Sequence, residues 1–233
     1  MPLRIGTAGW SIPRLTSASF PTEGTHLERY ARVLHCAEIN STFYRTSRLA
    51  TYAKWAASTP DDFLFSLKAP RTITHESALA PAPQQLKDFL TQTSALVEKR
   101  GPILFQLPPK QAFNPTRAKA FLTLLRDLYQ GPTVFEPRHE TWFTPEAESL
   151  FKTFHIARAA ADPPRIAAAT QPGGDPTLVY YRLHGSPRIY YSTYTPEYLE
   201  ALSKAITPHT WVIFDNTASG AATENALSLN FLS

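Results

Sequence analysis

The chain has a single cysteine, Cys36, in 233 residues. No disulfide can form within it and no paired-cysteine metal site exists; Cys36, at a helix-to-strand junction, reads as a small buried apolar residue. No run approaches the ~18 uninterrupted apolar residues of a membrane span, so none is expected. The opening stretch MPLRIGTAGW lacks the basic start and apolar core of a signal peptide, which makes the cytoplasm the expected location. Glycine is scarce, with nine residues, and none of it builds a nucleotide-binding loop. GTAGW after the first strand candidate is too short and lacks the third glycine, which tells against an open doubly wound sheet.

What is present describes an ordinary globular protein, neither disordered nor fibrous, with 43% hydrophobic and 18% charged residues. The net charge of +4 suits an anionic ligand or nucleic acid without requiring either.

Short apolar runs alternate with longer amphipathic ones from end to end. Strand candidates fall at 3–7, 37–43, 63–68, 102–107, 133–138, 156–162, 178–184 and 211–216. Helical stretches lie between them, at 25–35, 48–58, 84–99, 116–129, 144–153, 196–206 and 220–230. Thr144-Pro145 and Thr195-Pro196 each put a capping threonine before a proline suited to a first helical turn. Strands apolar on both faces imply a parallel sheet covered by helices. The sequence therefore predicts an α/β fold, a (β/α)8 TIM-type barrel forming one domain over 1–233. One unit, around 163–177, is too rich in proline and glycine for a full helix.

Residues two apart on a strand share a face, and on that parity polar groups gather at the strands' C-terminal ends. Glu38 and Asn40 share a face, as do Ser66 and Lys68; Gln106 ends the fourth run, and Glu136 and Arg138 end the fifth. The seventh supplies Tyr180, Arg182 and His184, while the sixth and eighth end at Asp162 and at Asp215-Asn216. Barrel enzymes build their sites at that end. A site there is expected to use Glu136 as acid–base, Lys68 and Arg138 as an electrostatic clamp and His184 as second proton carrier. Lys68 could instead be a Schiff-base nucleophile, although pairing with Glu136 or with a ligand anion is the simpler role. Ser219 and Gly220, at a helix start after the last strand, offer backbone N–H groups to a phosphate. His75 is a further acid–base candidate, and Tyr44 stands among aromatics that could stack on a sugar or base. Glu136, Asp162, His184 and Asp215 could supply metal ligands, but the cations in the same mouth balance most of the acid. No metal or cofactor is expected.

The motifs GTAGWS, EINSTFYR, FLFSLKAPRTITHE, ILFQLPP, FEPRHETWF, YYRLHG and FDNTASGAATENA resemble, in order, those of the YecE-like family, domain of unknown function 72. The resemblance covers nearly the whole chain. It implies a TIM-type barrel in bacterial cytosolic proteins, with these motifs at the mouth and no established reaction. It marks Glu38, Asn40, Tyr44, Lys68, His75, Gln106, Glu136, Arg138, Arg182, His184 and Asn216. The expected function is hydrolase or lyase chemistry on a small phosphorylated or carboxylated molecule. The alternative is a nucleic-acid-binding protein or repair-type phosphodiesterase similar to barrel endonucleases.

Overall fold

Runs such as PILFQL have no face to turn to water, and the fold gives them none. The computed structural model describes residues 2–233. Its strands are β1 (Arg4–Ala8), β2 (Cys36–Ile39), β3 (Leu64–Lys68), β4 (Arg100–Gln106) and β5 (Thr133–Glu136), followed by β6 (Ala157–Arg158) and β7 (Ala160–Asp162). Then come β8 (Gly173–Gly174), β9 (Val179–Leu183) and β10 (Thr210–Phe214). They pair in the order β7-β9-β10-β1-β2-β3-β4-β5-β6-β8. All these pairings are parallel except that of β8, which runs antiparallel to β6. Only Ala159 separates β6, which pairs with β5, from β7, which pairs with β9. Strands β6 and β7 are thus two halves of one barrel stave, and the ring closes through them.

Among the described residues seven α-helices clothe the ring: α1 (His26–Ala31), α2 (Leu49–Ala57), α3 (Pro83–Thr93), α4 (Pro115–Leu128), α5 (Pro145–Thr153), α6 (Pro196–Ala205) and α7 (Ala221–Leu232). Thr144 and Thr195 accept hydrogen bonds from the N–H groups of Ala147 and Tyr198, capping α5 and α6 with proline next in line. The helix expected over 84–99 stops at Thr93, because Val97 takes a left-handed φ of 47° inside the turn that follows. Over 163–177 a short 3-10 turn, Ala167–Thr170, and the β8 bridge stand where a helix would. Among the described residues no helix is long and apolar enough to cross a membrane.

The core has two layers. Phe65, Phe105, Phe135, Val212 and Phe214 point outward and pack against the helices. Inside the ring, Cys36, Leu104, Val134, Ala157, Ala159, Tyr180, Trp211 and Ile213 fill the lower barrel. Tyr180 and Trp211 stack there with centroids 6.2 Å apart. Beside this plug, β1 is drawn so close to β2 that a Cβ on Gly6 would meet the Cys36 carbonyl oxygen at 2.1 Å. Gly6→Ala is therefore expected to destabilise the fold by about 1–3 kcal/mol through overpacking. Urea unfolding checks this, and an unchanged midpoint would mean that the two strands separate without cost.

Candidate functional site

Continuing each inward parity upward from the apolar plug leads directly to the charged groups. Arg182, on β9, is fully buried and stands at their centre. Its Nε and Nη2 donate to Glu38 at 3.1 and 2.6 Å, Nη1 donates to Glu136 at 2.8 Å, and Nη2 also donates to Asp215 at 3.1 Å. One guanidinium thus joins carboxylates from β2, β5 and the end of β10, using the fork geometry that lysine lacks. Tyr180 donates to Glu38 at 2.9 Å and meets Ser66 Oγ at 2.7 Å, tying the cluster to the plug below. Burial works against the charge on Arg182, but the three carboxylates outweigh it and hold the group firmly protonated.

Glu136 is saturated. Gln106 Nε2 lies 3.0 and 2.9 Å from its two oxygens, Arg138 donates from Nε and Nη2 to Oε1 at 3.1 and 3.0 Å, and Arg182 Nη1 donates to Oε2 at 2.8 Å. Burial pushes its carboxyl up, yet Arg182, then Arg138 and His184, hold it well below the usual carboxylate range. A carboxylate so anchored is poorly suited to the acid–base work expected of it, because protonation would break several charge-assisted bonds at once.

His184 is better placed for that work. Its Nδ1 lies 3.0 Å from Asp215 Oδ2, an acceptor, so Nδ1 carries a proton and Nε2 is the atom left for exchange. Nε2 is buried, sits 3.4 Å from Glu136 Oε1, and has no hydrogen-bond partner. Burial opposes charge on the ring, but the bond to Asp215 and the Glu136 carboxylate facing Nε2 prevail and raise its pKa above the ordinary 6.5. Asn40 donates to the other Asp215 oxygen at 3.2 Å, and its own Oδ1 is also buried without a partner. Both side chains that hold Asp215 thus keep one buried polar atom without a hydrogen bond among the described residues, and such atoms call for an explanation.

A cavity of about 150 Å3 opens beside His184. Glu136, Arg138, Arg165, Ile189 and Tyr190 are among the residues lining it. Tyr190 holds a left-handed φ of 70°, and its ring meets His184 edge-on at 6.1 Å. Strain of this kind in a bulky residue collects at functional sites. Arg165 and Tyr190 had no signal in strand parity, since both belong to loops; the cation in PPRIA, directly after the sixth strand candidate, was the available clue.

The remaining expected residues are distributed as follows. Lys68 makes no ion pair with Glu136 or any other carboxylate among the described residues; its Nζ lies over the Phe43 ring, 4.3 Å from the centroid. His75 sits on a π-helical turn, Thr72–Glu76, with its ring edge-on to the same phenylalanine at 5.0 Å. Tyr44 is exposed on the outer rim, away from the ion cluster. Asp162 has the opposite parity from Ala159 and Ala161 and accepts from the Tyr194 hydroxyl at 2.9 Å instead of joining the cluster. Asn216, one residue past Asp215, likewise points outward and donates to Ser192 O and Asn225 Oδ1. Ser219 spends its hydroxyl on Tyr191 O at 2.7 Å, and neither it nor Gly220 lines the cavity. The four-residue metal set is thus split by Asp162, and Arg182 fills the space between the acids. Among the described residues no group of three or more His, Cys, Asp or Glu is arranged to hold a metal.

Fold and site together define a class: a TIM-type (β/α)8 barrel whose mouth is floored by a buried ion cluster around one arginine. The chain belongs to the DUF72 family, proteins of unknown function, whose model matches residues 4–232. It is 33% identical over 157 residues to the UPF0759 protein YecE of Escherichia coli, covering 65% of the chain and 54% of YecE. The chain thus spans about half the length of that relative. The UPF0759 protein YunF of Bacillus subtilis is 22% identical, with 95% of the chain and 91% of YunF covered. A DUF72 protein of Thermotoga maritima superposes with a TM-score of 0.80 at 23% identity, covering 100% and 99% of the two chains. The 3-keto-L-gulonate-6-phosphate decarboxylase of Vibrio cholerae superposes at 0.55 with 10% identity, covering 100% and 97%, a likeness of fold alone.

Proposed function

We propose that the chain is an enzyme of hydrolase or lyase type acting on a small phosphorylated or carboxylated compound. The compound lies in the cavity between Arg138 and Arg165, and His184 Nε2 transfers the proton. The observation that carries this reading is the His184 ring itself: it lines a cavity bearing two guanidinium groups, is fixed through Nδ1 to Asp215, and its buried Nε2 faces Glu136 at 3.4 Å without a well-formed hydrogen bond among the described residues. At about 150 Å3 the cavity holds the equivalent of roughly five waters at ~30 Å3 each, which favours a small molecule over a polymer segment. His184 in its charged form donates to a leaving group and, once neutral, accepts. The saturated Glu136 fixes Arg138 and adds negative potential beneath the ring.

Inorganic phosphate and small phosphorylated or carboxylated compounds are expected to raise the melting temperature of the wild type, since a ligand that prefers the native state stabilises by mass action. In Arg138→Ala the shift should fall by more than half. Equal shifts in both proteins would move the anion elsewhere and remove the reason for an anionic substrate. A second reading, nucleic-acid binding, draws on one observation: Tyr44, Tyr190 and Tyr191 are exposed on the rim, with Arg188 stacked 4.1 Å from the Tyr191 centroid. Retention on heparin that collapses steeply with salt would favour it.

A further inference from the structure

We infer that Lys68 is a carbonyl-condensing amine, whose Nζ, over the Phe43 ring and free of any carboxylate, forms an imine with a small aldehyde or α-keto acid. The inference rests on the preceding reading only for where the anionic end of that compound sits.

Lys68 ends β3 on the inward face, in a mouth that also holds Glu38, Glu136 and Asp215. A lysine in such company ordinarily pairs with an acid. Here Arg182 has taken all three carboxylates, and the ammonium is left on an aromatic face. Burial, then the neighbouring Arg182 charge, overcomes the pull of the acids and lowers its pKa from 10.5 to about 8. Desolvation beside a second cation is a recognised way of making a lysine nucleophilic. With that pKa roughly a tenth of the amine is neutral at pH 7, against fewer than about one in a thousand for an ordinary lysine.

The step balances within the site. The Nζ lone pair attacks the carbonyl carbon, the C=O π pair moves to oxygen, and the oxygen takes a proton as nitrogen gives one up. The resulting hydroxyl then leaves as water with a second proton, and the nitrogen lone pair closes the C=N bond. We assign the carrying of these protons to His75. It meets the same Phe43 ring, its Nδ1 lies 2.8 Å from Thr74 Oγ1, and burial followed by the Lys68 charge lowers its pKa. The iminium would be the electron sink that lyase chemistry on a small keto acid needs.

The test is reductive trapping. Intact protein is incubated with glyoxylate, pyruvate or propionaldehyde and sodium cyanoborohydride, then mapped by peptide mass. One adduct per chain on Lys68 is expected, formed half-maximally near pH 8 and absent in Lys68→Arg and Lys68→Met, with folding checked by circular dichroism. Wild-type protein should trap propionaldehyde, which has no anionic group, even if inorganic phosphate gives no thermal shift; failure of one reading is thereby told from failure of the other. Adducts scattered over surface lysines, with Lys68 unmodified in folded wild-type protein, would overturn the inference.

Discussion

Arg182→Met is expected to lower the stability of the protein by about 3–5 kcal/mol, the usual cost of removing one partner from a buried charge cluster. For a chain of this size that corresponds to a drop in melting temperature of roughly 6–20 °C. The reason is geometric. Glu38, Glu136 and Asp215 all face one guanidinium, and the three residues are 0%, 2% and 6% exposed, so water cannot replace it. Methionine fills the volume but leaves three carboxylates facing each other. Adding Glu38→Gln should recover part of the loss, because the two sites share a bidentate bond and their effects cannot be additive. Urea and thermal unfolding measure both. A loss below about 1 kcal/mol, the scale of an exposed ion pair, would show that the cluster is hydrated.

Acid should unfold the protein through the same cluster. Glu136 and Asp215 have pKa values depressed from 4.5 and 3.8: burial pushes each up, but Arg182 and His184 pull both lower, joined by Arg138 at Glu136 and by Lys68 at Asp215. A depressed carboxyl gives stability that is complete above its unfolded pKa and disappears as pH falls through the folded one. The loss should therefore begin near pH 4.5 and continue downward, each unit of depression being worth about 1.4 kcal/mol. Glu136→Gln should start from a lower stability at pH 7 and show a flatter acid limb. His184 acts in the opposite direction, since its raised pKa gives stability that is complete below 6.5 and lost as pH rises through the folded value. A wild-type acid limb as flat as that of Glu136→Gln would place the ionisation of Glu136 in the ordinary range.

Strand parity was enough to bring Glu38, Gln106, Glu136, Arg182, His184 and Asp215 to one place, because a buried parallel strand leaves a polar residue only inward or outward, and the alternation is strict. Parity also explains Asp162 and Asn216. Both end strands, but each is one residue out of phase with the inward set, and each is claimed by a partner behind the barrel. How the charges divide was not legible. Lys68, Arg138 and Arg182 read alike in the sequence, and only the three-dimensional fork shows that Arg182 occupies the acids while Lys68 is left on Phe43. Loop residues were the hardest to foresee. Arg165 and Tyr190 reach the cavity through irregular backbone, which has no period to read. Gln106 and His184, although at strand ends, are only 6% and 4% exposed, and the Tyr190 ring lies edge-on to His184.

The bonds around Arg182 also join parts of the chain that are made at different times. Its partners lie 144 residues upstream at Glu38, 46 upstream at Glu136 and 33 downstream at Asp215. A nascent chain that has just passed β5 holds Glu136 with Gln106 and Arg138, while Glu38 still lacks the arginine that takes both its oxygens. Burying Glu38 before Arg182 is in place would leave its charge uncompensated, so a mouth dehydrated too early is penalised electrostatically. Only when β9 delivers the arginine, and the end of β10 the last acid, does dehydrating the mouth become favourable. The cluster that floors the cavity is in this sense a late checkpoint, which lets the barrel lock only when its final staves are present.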